Sequence, residues 1–80
     1  MIVRAKAKTA PQPVAITTPH ITLGALLKLS GAASTGGQAR LMIEDGAVYV
    51  DGAVCTSRGK KLTPGAVVRA AGRTYVVTAP

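Results

Sequence analysis

At Gly46 the spacing of apolar residues changes, and that change constrains the fold more than any other feature of the chain. Before it, Leu23, Leu26 and Leu27, and then Ala39, Met42 and Ile43, recur at helical spacing. After it, Val48 and Val50 alternate with Ala47 and Tyr49 at the interval of two that sends successive side chains to opposite faces of a strand. Helices first and strands afterwards predict an α+β domain, in which two short packed helices cover one face of a small, mainly antiparallel sheet.

The punctuation between these runs agrees with that order. Thr22 is placed to cap a first helix over about residues 22 to 30, and Gly31 supplies its stop. Thr35-Gly36-Gly37-Gln38 fits a capping box, with the Thr35 hydroxyl bonding the Gln38 N–H and the Gln38 side chain returning the bond; the second helix then ends at Gly46. Both helices are too short to be stable alone and must pack on each other and on a sheet. Asp51-Gly52 signals a type I′ turn between Val48–Val50 and Ala53-Val54-Cys55. Thr63-Pro64-Gly65 turns the chain before Val67 and Val68, and Ala71-Gly72-Arg73 leads into a last strand over Thr74 to Thr78. Val14 to Thr17, bounded by Pro13 and Pro19, suits an edge strand.

Eighty residues predict one domain, placed at 14–80, behind a flexible basic arm at 1–13 that carries Arg4, Lys6 and Lys8 before Pro11 and Pro13. Ten Lys and Arg against three acids leave a net charge of +7, a field that attracts polyanions. Nucleic acid is the leading partner. No apolar run approaches the roughly 18 residues of a spanning helix, and the cations do not line one amphipathic helix, which disfavours a membrane. A lone cysteine forms no internal disulfide and the N-terminus lacks the apolar core of a secretory signal, so a cytoplasmic location is expected. With no Trp or Phe and only Tyr49 and Tyr75, the composition disfavours a stacking platform of several rings, which leaves phosphate and shape as the main features to be read.

Two sites follow. Gly36 and Gly37 would let a phosphate approach the open N–H groups of the second helix, with Arg40 one turn on. The plain alternative is that these glycines relieve crowding between helices. Arg58-Gly59-Lys60-Lys61 concentrates three cations in a connection; such runs are commonly solvated loops, but here few acids exist to neutralise them. Catalytic patterns fail. The phosphate-loop spacing is absent, Cys55 has only His20 as an imidazole partner, and one Cys with one His is too few for structural zinc. Glu44 and Asp45 are adjacent and point about 100° apart on a helix, poor geometry for an acid/base pair. No enzyme, cofactor or metal is expected.

Ile21-Thr22-Leu23 to Leu26-Leu27-Lys28-Leu29, then Ser34 to Arg40, then Gly46-Ala47-Val48-Tyr49-Val50-Asp51-Gly52, then Arg58 to Leu62 resemble the ribosomal-protein-S-four type of RNA-binding domain, and among its members the small stand-alone bacterial proteins. The resemblance covers about residues 14 to 78; each motif is short, but their order and spacing together are specific. It implies the αL RNA-binding motif, in which two helices on a small sheet present a basic face to structured RNA. The implied RNA-binding residues are Lys28, Gly36, Gly37, Gln38, Arg40, Arg58, Lys60 and Lys61; Leu26, Leu27, Ala39, Ile43, Val48 and Val50 fall on the family's core positions. Three positions depart from the family pattern. Gly36 stands where many members are basic, Asp51-Gly52 where the turn often reads Asn-Gly, and Ala66 where Asp is common. The first shifts the binding burden onto Arg40 and the Arg58 to Lys61 cluster, the second puts a negative charge beside the RNA face, and the third concerns turn stability.

The expectation is a non-enzymatic, monomeric protein binding structured RNA, ribosomal or transfer RNA, free or on ribosomal particles. Its rivals are a ribosome-associated protein-interaction module using the sheet edge, and a general DNA or polyanion binder.

Overall fold

The computed structural model describes residues 11–80. Along the chain the elements are β1 (Gln12–Ala15), β2 (Ile21–Thr22), α1 (Leu23–Ser30), α2 (Gly36–Glu44), β3 (Tyr49–Val50), β4 (Ala53–Val54), β5 (Lys61–Leu62), β6 (Val67–Ala70) and β7 (Arg73–Thr78). Five strands form a mixed sheet in the order β1-β7-β6-β3-β4, parallel only between β1 and β7. The fold class is the expected one, two helices packed on a mainly antiparallel sheet.

Each predicted signal acts locally. The Thr22 hydroxyl accepts from the Ala25 N–H at 3.3 Å, and Gly31 closes α1 in the left-handed region at φ 85°. The Thr35 hydroxyl accepts from the Gln38 N–H at 3.0 Å. The returning bond is displaced by one residue, since the Gln38 side-chain oxygen accepts from the Ser34 N–H at 2.6 Å rather than from Thr35. At the far end of α2 the Gly46 N–H donates to Ile43 O and the Ala47 N–H to Met42 O, both at 3.1 Å, the paired bonds of a Schellman stop. Asp51 and Gly52 take φ 50° and 89°, as a type I′ turn requires.

Two features differ from expectation. β2 and β5 pair as a separate antiparallel sheet, with Ile21 opposite Leu62 and Thr22 opposite Lys61. Strands of two residues have no period to detect, so Ile21-Thr22 reads as the approach to a helix and Lys61-Leu62 as the tail of a basic loop. The first strand also begins earlier than Val14. Gln12 and Pro13, assigned to the flexible arm, lie in β1 opposite Tyr75 and Val76, and Pro13 is accommodated because β1 is an edge strand. The arm's remaining cations, Arg4, Lys6 and Lys8, lie outside the described residues.

The core sits between the helices and the inner face of the large sheet. Leu23, Leu26, Leu27, Ala39 and Ile43 bury themselves against Val14, Val48, Val50, Val68, Tyr75 and Val77. All six expected core residues are buried, and Met42, on the same helical face as Ala39 and Ile43, is half-buried against them. Among the described residues no charged or polar side chain is buried, so every described cation faces solvent.

Candidate functional site

The packing of α1 against α2 leaves a groove between α1 and the first turns of α2. Lys28, Gly36, Arg40 and Arg58 line it, with Gly24, Ala39 and Gly59 beside them, around a volume of about 270 Å³. Residues as far apart in sequence as Gly24 and Gly59 thus meet across one concavity, because backbone bonds fasten the basic loop to α1. The Leu23 N–H donates to Lys60 O at 2.9 Å and the Gly24 N–H to Arg58 O at 3.0 Å. A Cβ on Gly24 would meet Arg58 O at 3.6 Å, ordinary contact, so the loop lies directly on the helix.

Those two bonds also decide which helix end remains open. In α1 the first three N–H groups are taken, by Lys60 O, Arg58 O and the Thr22 hydroxyl. In α2 the Gln38 N–H is capped by Thr35, while the N–H groups of Gly36 and Gly37 have no partner among the described residues. These two donors, at the positive end of the helix dipole, are free for an anion. A Cβ on Gly36 would meet nothing nearer than the Lys28 side-chain carbon Cδ at 3.9 Å, so the approach to these donors is open. The Lys28 side chain thus passes beside position 36, where the resemblance points to a basic residue in many members.

Arg40 and Glu44 form the only ion pair among the described residues, Nε to Oε2 at 2.8 Å on an exposed helix face. The hydrogen bond that Arg40 donates to Glu44, reinforced by the carboxylate charge, holds the guanidinium pKa above its ordinary value. An exposed pair of this kind is weak and a phosphate can compete for the arginine.

The expected residues do not all converge. Gly37 and Gln38 stand beside the groove, Gln38 with its oxygen committed to the cap. Lys61 lies in β5 opposite Thr22, exposed, and Lys60 borders a different concavity with Asp51 and Val54 at the β3–β4 hairpin. Asp51 is held there by two bonds to Val67, its N–H donating to Val67 O at 2.7 Å and its carboxylate accepting from the Val67 N–H at 3.0 Å. The four-residue basic run thus splits, with Arg58 on the groove and Lys60 toward the hairpin. Two further cations, Arg69 and Arg73, fall outside the expected set and flank the β6–β7 turn. The Ala71-Gly72 pair between two β runs is the sequence signal that would have joined them. Among the described residues no three His, Cys, Asp or Glu side chains gather to hold a metal, and no helix is long and apolar enough to cross a membrane.

The family model for the S4 domain matches residues 14–78. The Escherichia coli (strain K12) protein YbcJ, provisionally named an RNA-binding protein, is 44% identical over 61 residues, 76% of this chain and 87% of its own length. The Bacillus subtilis (strain 168) protein RlbA, provisionally named a ribosome maturation protein, is 38% identical over 60 residues, 75% of this chain and 84% of its own. The solution structure of Escherichia coli YbcJ, described as revealing an αL motif involved in RNA binding, matches with a TM-score of 0.67 at 38% identity and covers 99% of this chain and 98% of that one.

Proposed function

The chain belongs to the S4-domain family, and we propose that it is a non-enzymatic, cytoplasmic RNA-binding protein that holds structured RNA, ribosomal or transfer RNA, by its phosphates. One observation carries this reading: Lys28, Arg40 and Arg58 line one groove together with Gly36, whose N–H is open. Charge-assisted bonds from such groups recognise phosphate oxygens and fix register on a helix. Gly37 beside the groove, and Lys60 and Lys61 on the chain that leads from Arg58 toward the hairpin and β5, extend the surface, and Gln38 keeps the first turn of α2 in shape. Because the A-form major groove is too narrow for side chains to read, selectivity rests on RNA shape more than on sequence. The ribosome-maturation name of the Bacillus subtilis relative supports ribosomal RNA, free or in a particle, as the first RNA to try.

The test is a titration of the wild type and an Arg58→Glu, Lys60→Glu, Lys61→Glu variant against structured RNA and duplex DNA of equal length, at two salt concentrations. The loop is fastened by its backbone carbonyls, so the variant keeps the fold. Salt-sensitive preference for RNA that the variant loses is the expected result. Equal binding of both duplexes would show a general polyanion binder, and binding of neither would turn the search to protein partners.

A further inference from the structure

A second cationic corner lies apart from the groove, at the β6–β7 turn beside Ala47. Tyr49 lies directly opposite Arg69 in the sheet, with the guanidinium carbon 5.9 Å from the ring centroid. Of the two tyrosines Tyr75 is 2% exposed and Tyr49 39%, so only the Tyr49 ring is open to a ligand. Arg69 and Arg73, both exposed, border with Tyr49 a shallow depression of about 90 Å³ at the Ala71-Gly72 turn. Neither arginine has an acidic partner among the described residues.

A cross-strand Arg–Tyr pair steadies a sheet by itself. It does not account for Arg73, which stands opposite Ala70 on the neighbouring strand and brings a second guanidinium to the same depression. An open ring beside two planar, fork-shaped donors matches the chemistry of a nucleotide, with the base on the ring or guanidinium plane and the phosphate on the other arginine. The depression is well below the roughly 300–1,000 Å³ of pockets that enclose free small molecules. A ligand therefore lies across the surface and continues on both sides, as a strand does. Paired bases are stacked within their helix and present no free face.

We infer that the corner formed by Tyr49, Arg69 and Arg73 is a second contact site that takes an unpaired nucleotide of the RNA whose duplex phosphates sit in the groove. The inference rests on the RNA-binding reading above and extends it. Several stacking rings are disfavoured by composition; a single one is present and exposed.

The experiment compares a short blunt RNA hairpin with the same hairpin carrying a single-stranded oligouridine tail, and separately follows tyrosine emission as oligouridine alone is added. The chain has no tryptophan, so the emission reports Tyr49 over a buried Tyr75. The tail should tighten wild-type binding by about fivefold to tenfold, the scale of one stacked base. That gain should vanish in Tyr49→Val and in an Arg69→Gln, Arg73→Gln variant, while affinity for the blunt hairpin stays within about twofold. Tyr49 is exposed and valine favours strands, so the first variant keeps the fold, as circular dichroism would verify. Hairpin binding with no gain from the tail, or a gain that survives both variants, overturns the corner and leaves the groove standing. Loss of all hairpin binding with emission still quenched by oligouridine, and unquenched in Tyr49→Val, overturns the groove and upholds the corner.

Discussion

Arg40 is the one groove cation already engaged, and the residue engaging it is dispensable to the fold. Glu44 is exposed on the outer face of α2 and bonds nothing else among the described residues. Glu44→Gln should free Arg40 for phosphate and remove a repelling charge, raising RNA affinity by about twofold to fivefold in a low-salt titration. Asp51 raises the opposite question, because its carboxylate both borders the Lys60 concavity and holds the Val67 N–H. Asn keeps the acceptor and tolerates the positive φ, so Asp51→Asn should leave the melting temperature nearly unchanged while tightening RNA binding. Asp51→Ala, which loses both, should cost about 1–2 kcal/mol. Ala71 offers the converse case. It sits at φ 55° with Gly72 at 74°, a second I′ turn whose first residue pays the left-handed strain of a β-carbon without any polar compensation. Ala71→Asn should stabilise the protein by about 0.5–1 kcal/mol, read as a rise of several degrees in the melting temperature.

At the level of elements, the helices, their caps and the Asp51-Gly52 turn were legible because each depends on residues within a few positions of one another. Leu23, Leu26 and Leu27 declare a buried face through spacing alone, and Thr35 finds the Gln38 N–H three residues on. β2 and β5 were not legible, since their pairing joins Ile21 to Leu62 across both helices and a hairpin. The same long-range contact governs the candidate site. Sequence placed Arg58, Lys60 and Lys61 together as a cluster, but only the docking of the loop carbonyls on α1 sends Arg58 into the groove beside Lys28. That docking also takes up the first N–H groups of α1 and so leaves the open helix end to α2, the helix whose glycines the sequence had singled out. Thr35 then acts on both fold and site. Thr35→Ala should cost about 1 kcal/mol of stability as the cap is lost. It should also weaken RNA binding beyond what the stability change explains, because the first turn carrying the Gly36 and Gly37 donors is no longer held; comparison of melting temperature with affinity below the melting range separates the two.

Across the whole molecule, charge and geometry make different predictions about salt. A net charge of +7 attracts any polyanion, and a diffuse field alone loses affinity with salt without pointing to particular residues. A built groove behaves otherwise. Each phosphate neutralised by a positioned cation releases counterions, so contact with roughly four to six phosphates gives a slope of log affinity against log salt of about −3 to −5. Removing one such cation should lower the slope by about one. Arg58→Gln, on the groove wall, is expected to do so with the blunt hairpin, and Lys28→Gln likewise. Arg73→Gln removes the same charge from the protein but stands at the second corner, so it should leave the blunt-hairpin slope unchanged and lower it only when the RNA carries a single-stranded tail. If all three substitutions shifted the slope equally on the blunt hairpin, net charge rather than position would govern binding, and neither the groove nor the corner would be a site.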